Sequence, residues 1–175
     1  MSDLKELEAR LRRLEDIKEL EDLLARYSLT ADLGRTEEYV DLFTEDGVMD
    51  LIDMGLARFE GREALREFIN GSAAADAAHT ALHIALPTVF YVDGDDATGE
   101  GYSVMQQRDL SDGFNEPGFT GVKVPIKVSV SHANYSHWTF RRVDGVWKIV
   151  ERYIKLMASP EAPEIFRKSI KQQAG

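Results

Sequence analysis

The stretch His79-Thr80-Ala81-Leu82-His83-Ile84-Ala85-Leu86-Pro87-Thr88-Val89-Phe90-Tyr91-Val92, followed by Asp93-Gly94-Asp95-Asp96 and then Ala97, decides how this chain folds. The first part is long and β-prone, and the second is a turn signal built on Asp-Gly, so a hairpin is predicted with strands over 79–92 and 97–109. A Gly/Pro-rich connection over 110–121 leads to a third long strand over 122–142, and Asp144-Gly145 turns the chain into a fourth over 146–157. Everything upstream reads mainly as helix. Helices first and a meander of long strands afterwards argue α+β, with a curved antiparallel sheet packed on N-terminal helices.

Upstream, residues 3–33 read as one long helix. Asp3 and Glu6 have capping-box spacing, and Gly34 supplies the stop. Apolar residues fall at Leu4, Leu7, Leu11 and Leu14, then shift by one step and resume at Ile17, Leu20, Leu24, Tyr27 and Ala31. The first seam is narrow and heptad-like, so residues 1–14 are a helical extension that either packs on a second subunit or stands in solvent. Thr36 is placed to cap a second short helix whose buried face is Tyr39, Val40, Leu42 and Phe43. Asp46-Gly47 then turns into a strand over 48–52, and a short extended piece covers 56–59. A third helix over 62–70 ends at Asn70-Gly71, a loose segment covers 71–78, and Pro160 and Pro163 open a short terminal helix.

The composition narrows the chemistry. The 175 residues suit a single domain with a real core, and 43% hydrophobic with 30% charged residues is ordinary for a soluble globular protein. No apolar run approaches a membrane span and the charged start is unlike a signal peptide, so a cytoplasmic protein without a membrane partner is expected. Lys and Arg total 21 against 31 Asp and Glu, a formal charge of −10, which disfavours nucleic acid because phosphate binding needs a concentrated basic face. The absence of cysteine removes disulfides, thiolate nucleophiles and cysteine-held zinc. A neutral or aromatic small molecule is the easier partner.

The order of Ile17–Tyr27, Ala31-Asp32, Leu42–Val48, Phe59–Leu65 and Asp144–Ile149 resembles the SnoaL-like branch of the NTF2-like superfamily, over roughly residues 14–157. That resemblance implies a cone-shaped α+β barrel enclosing a pocket, and frequent dimers or trimers. Within the superfamily the chain is similar to cofactor-free lyases of the scytalone dehydratase, lindane dehydrochlorinase and diarylpropane lyase types. Their Asp–His dyad falls on Asp32 and His83, with Tyr27 one turn before the aspartate. No cofactor is implied. Fold alone does not fix function, since the superfamily also holds non-catalytic binders.

The residues give reasons of their own. A neutral imidazole, with its ordinary pKa near ~6.5, is available as a base, and a carboxylate on Nδ1–H fixes its tautomer and stabilises the imidazolium. The competing reading of His83 is a core histidine held by a backbone carbonyl. Asp32 lies off the helix seam, where a negative charge opposes the helix dipole, so it needs a cation: His83 or Arg35 would serve. His79 and His83 stand four apart, which on a strand is roughly 13 Å, too far to share one ion, so His79 reads as a rim residue and no metal site is expected. On the third strand His132, Asn134, Ser136 and Trp138 share one face, and Ser131, Ala133, Tyr135 and His137 the other. A one-residue slip exchanges the two sets. Tyr102, Asn134, His132 and His79 are the candidate substrate contacts, and Tyr27 and Tyr102 are candidate donors to a developing oxyanion. The 110–121 segment, with Phe114 and Phe119, reads as a lid or a plain connection. The function expected is elimination of water, halide or a one-carbon fragment from a hydroxylated aromatic or cyclic molecule. An isomerase, a polyketide-type cyclase or a binding module is the alternative.

Overall fold

The computed structural model describes residues 2–74, 81–114 and 125–157. Its elements are α1 (Ser2–Asp32), α2 (Thr36–Asp41), β1 (Phe43–Asp50), a 3-10 turn (Ile52–Met54), β2 (Arg58–Glu60), α3 (Gly61–Ala74), β3 (Ala81–Asp93), β4 (Asp96–Phe114), β5 (Pro125–Val143) and β6 (Val146–Leu156). The strands form one sheet in the order β2-β1-β6-β5-β4-β3. The expected meander from β3 to β6 is antiparallel throughout, but β1 joins β6 in parallel, so the sheet is mixed. It curves without closing, and β2 and β3 are its edges. Among the described residues no helix is long and apolar enough to cross a membrane.

The curvature has identifiable causes. The strand register shifts between Ala85 and Thr88, between Met105 and Gln106, and between Thr139 and Phe140. Each irregularity bends a long strand and increases its twist. Pro87 sits inside the first, where the ladder is already interrupted and a missing N–H costs little. Gly101 is required opposite it, because a Cβ there would lie 2.8 Å from Thr88 Oγ1 and 3.2 Å from the Pro87 carbonyl oxygen.

The concave side of the sheet meets α1, α2 and α3. Leu20, Tyr39, Phe43, Leu65, Phe140 and Ile149 each expose 1% or less, and every such aliphatic side chain contributes about 1.5–3 kcal/mol by leaving water. In α1 the second seam is buried through Leu20, Leu23, Leu24 and Tyr27, while Leu4, Leu7, Leu11 and Leu14 remain between 54 and 65% exposed. No described element of the chain covers that first stripe.

Several local expectations are corrected. Asp3 lies inside the first turn of α1, since the helix already runs from Ser2. Thr36 makes no capping bond: its hydroxyl donates to Asn70 Oδ1 at 2.7 Å and ties α2 to α3. Phe43 is buried but opens β1 rather than belonging to α2, and Asp46-Gly47 is absorbed within that strand as an irregularity facing β6. The strand stops at Asp50, where its carboxylate accepts the Ile52 N–H at 3.1 Å and starts the 3-10 turn. Helix α3 passes through Asn70-Gly71 to Ala74, because Gly costs a helix only about 1 kcal/mol and Phe68 and Ile69 already hold it to the core. β4 continues to Phe114, so the first part of the expected connection is strand; the rest of it, and the terminal helix, lie outside the described residues.

Candidate active site

Helix α1 ends beside β3, and the manner of its ending sets the site. Gly34 takes a left-handed φ of 62°, which glycine adopts without a Cβ penalty. The Gly34 and Arg35 N–H groups then bond back to the carbonyls of Ala31 and Thr30 at 3.2 and 2.9 Å. That closure leaves the Asp32 carboxylate turned to β3. It accepts from His83 Nδ1 at 2.6 Å, and the His83 backbone N–H reaches both of its oxygens at 3.1 Å. Arg35, the other cation within reach by sequence, pairs instead with Glu38 at 3.7 Å. The Asp32 side chain is 14% exposed and that of His83 31%, so the pair is sheltered yet open to a ligand. With Asp32 holding Nδ1, the neutral ring carries its proton there and presents a bare Nε2. No described residue bonds that nitrogen.

His83 and Asp32 line a cavity of about 310 Å³. Part of its lining is apolar: Met49, Leu51, Met54, Phe68 and Ile154. The lining also includes His132, Asn134, Arg152 and Tyr27. β5 therefore turns the His132–Asn134–Ser136–Trp138 row inward, with Asn134, Ser136 and Trp138 buried. Asn134 Oδ1 and His132 Nε2 are buried without a partner, while His132 Nδ1 meets Ser131 Oγ at 3.1 Å. Burial first, and then the neighbouring His83 and Arg152, hold the His132 pKa below its ordinary value. Such a ring is neutral near pH 7 and can accept or relay a proton.

Tyr27 lies deeper. Its ring contacts Tyr39 and Trp138 at 5.1 Å each, and its hydroxyl accepts from Tyr39 at 3.1 Å and from Arg152 Nη1. Burial and the neighbouring Tyr27 push the Tyr39 hydroxyl well above the usual tyrosine range, so it remains a donor. The nearest described acceptor for the proton of Tyr27 is the soft sulfur of Met49 at 4.0 Å, which leaves that O–H available to a ligand.

Two sequence expectations fare differently. Tyr102 is paired in register with Tyr135, stands edge-on to it at 6.4 Å and is 43% exposed; it does not line the large cavity but borders a smaller recess beside it with Tyr27, His83 and Arg152. Ser103 and Met105, the neighbours in step with Asn134 and His132, are the β4 residues that turn inward. His79 lies outside the described residues.

Arg152 was not anticipated. Only 4% of it is exposed, and its guanidinium lies 4.7 Å from the Tyr27 ring centre and 4.6 Å from that of Trp138. Alternation read forward from Trp147 and Ile149 puts Arg152 outside. The register shift opposite Thr139/Phe140 changes the parity and turns it inward with Ile154. Counting backward from Ile154 was the signal that would have found it.

A curved, unclosed sheet folded over N-terminal helices is the α+β architecture of NTF2-like proteins with a cystatin-like fold. A family model described as a SnoaL-like domain matches residues 12–153, and the chain belongs to that family. A solved NTF2-like protein with a cystatin-like fold from Novosphingobium aromaticivorans is 31% identical, with a TM-score of 0.75 over 93% of this chain and 95% of that one. A protein of unknown function from Mycobacterium tuberculosis is 24% identical, with a TM-score of 0.67 over 87% of this chain and 78% of its own. A structure from Catenulispora acidiphila is 19% identical, with a TM-score of 0.64 over 83% and 94%. These last two share the fold. No curated protein matches the chain.

Proposed function

We propose that this protein is a cofactor-independent lyase acting on a hydroxylated aromatic or cyclic small molecule. The SnoaL-like family includes polyketide cyclases, isomerases and dehydratases, and its domain is typical of cofactor-free enzymes. The observation that carries the reading is the 2.6 Å contact between Asp32 and His83 Nδ1 on the wall of an apolar cavity. His83 Nε2 takes a proton from the substrate. For water or halide, the freed C–H pair forms a double bond as the group on the neighbouring carbon departs. For formaldehyde, the proton comes from a hydroxymethyl O–H and its pair forms C=O. The C–C bond then breaks, and that bond's electrons form a double bond by expelling an oxygen from the next carbon. The Tyr27 O–H protonates an oxygen that leaves. Among the described residues Asp32 bonds to His83 alone, through the ring and the main-chain N–H: it is a positioning residue that stabilises the imidazolium formed in the step. The apolar wall of Met49, Leu51, Met54 and Phe68 suits a ring and keeps water from the developing charge.

A turnover screen of hydroxylated aromatics tests this. The expected result is release of water, halide or formaldehyde that falls by roughly 10²–10⁴ in His83→Ala, the usual worth of a general base. Turnover unchanged in His83→Ala would sink the assignment. An isomerase or cyclase uses the same base but returns the proton. In deuterated water it would incorporate deuterium at substrate carbon with no fragment released.

A further inference from the structure

We infer that the ligand of this cavity carries an ionised oxygen, an aromatic carboxylate or a phenolate, and that Arg152 is its seat. The inference rests on reading the cavity as a substrate site and adds the charge class of the substrate. Arg152 is buried, yet no carboxylate among the described residues lies within ion-pair distance of it. The Tyr27 hydroxyl is the single described acceptor its five donors find, and Nε is buried with none. Removing a guanidinium from water without a counter-ion is costly, and a chain with ten excess negative charges had ample means to supply one.

The surroundings fit an anion arriving from the cavity. Tyr27 and Trp138 rings lie against the guanidinium by cation–π contact, which stabilises it and restricts its orientation. A planar fork of N–H groups held in this way matches the two oxygens of a carboxylate, or one phenolate oxygen shared between two donors. Asn134 and His132 line the same cavity, each with a buried polar atom lacking a partner. His132, favoured in its neutral form, can donate to an oxygen or accept from one without adding charge. His83 lines the same cavity from β3.

The experiment is calorimetric titration of the full chain with benzoate and with its neutral shape analogue benzamide, and with 4-nitrophenol below and above its ionisation. Wild type is expected to bind benzoate, or ionised 4-nitrophenol, at least tenfold tighter than the neutral counterpart. The arm showing the preference tells carboxylate from phenolate. Arg152→Gln is expected to abolish the preference, and Arg152→Lys to keep part of it, since the charge survives without the fork. Equal affinity for charged and neutral probes, no binding of any probe, or a preference undiminished in Arg152→Gln would each overturn the inference. Should Arg152→Gln fail to fold, judged by circular dichroism, the wild-type ratios and Arg152→Lys decide alone. His83→Ala is expected to retain the anion preference while losing turnover. Retained preference with undiminished turnover would therefore remove the lyase reading and leave the anion seat standing.

Discussion

Two arginines point from the sheet toward the helices, and they are treated in opposite ways. Arg142, near the β5–β6 hairpin, is anchored to Asp16 of α1, reaches Glu19 at 3.2 Å and Asp95 at 3.4 Å, and lies 4.4 Å from the Trp147 ring centre. Arg152, on the next strand, has two aromatic rings and no acid among the described residues. Both are shielded from water, so burial is not what separates them. One charge is balanced within the fold and serves the fold. The other is balanced by nothing described in the chain, and it borders the cavity that also holds His83, His132 and Asn134. A balanced buried ion marks architecture; an unbalanced one beside open space marks a place for a ligand.

The sharpest way to test that contrast is to strike each end in turn. His83→Ala should leave melting nearly unchanged and cost turnover about 10²–10⁴, or roughly 3–5 kcal/mol of barrier, read as kcat/KM on any substrate found by the screen. At the other end Asp16→Ala should do the reverse. It strands Arg142 with only two exposed carboxylates, and about 2–4 kcal/mol of unfolding free energy should be lost in a urea titration with binding unaffected. Arg152→Met should be neutral or stabilising by about 1 kcal/mol in the same titration, because an uncompensated cation is replaced by an apolar side chain of similar length. A loss as large as that in Asp16→Ala would erase the distinction between the two arginines.

The smallest effect expected is one of pH. The folded pKa of His132 is depressed, so below the unfolded value near ~6.5 the unfolded chain binds more protons than the folded one. Stability contributed by the neutral ring is present above that pH and is lost as pH falls from there through the folded pKa. Melting temperature followed from pH 7 downward should therefore decline less steeply in His132→Gln than in wild type. Identical slopes would remove the shift.

Where the sequence was legible, the cause was local. The Asp93-Gly94 and Asp144-Gly145 turns, the stop at Gly34 and the buried seam of Leu20, Leu24 and Tyr27 each follow from neighbours a few residues away. The meeting of Asp32 with His83, 51 positions apart, needed the family likeness as well. What could not be read depends on long-range register. The parallel seam between β1 and β6 is set by how the whole sheet curls. Arg152 was hidden by one irregularity in strand parity, and the register of β4 on β5 puts Ser103 and Met105, not Tyr102, in step with Asn134 and His132. The length of α3 depends on tertiary packing that overrides a glycine.

The pair of bonds from the His83 main-chain N–H to Asp32 carries a second consequence. β3 is an outermost strand, and such a strand offers bare rungs on which another polypeptide can zip up. The acid that holds the imidazole also occupies one of those rungs, so the same carboxylate discourages self-templated assembly. Asp32→Ala should consequently lose solubility on concentration, seen as rising light scattering, where His83→Ala, which keeps its main-chain N–H and the acid, should not.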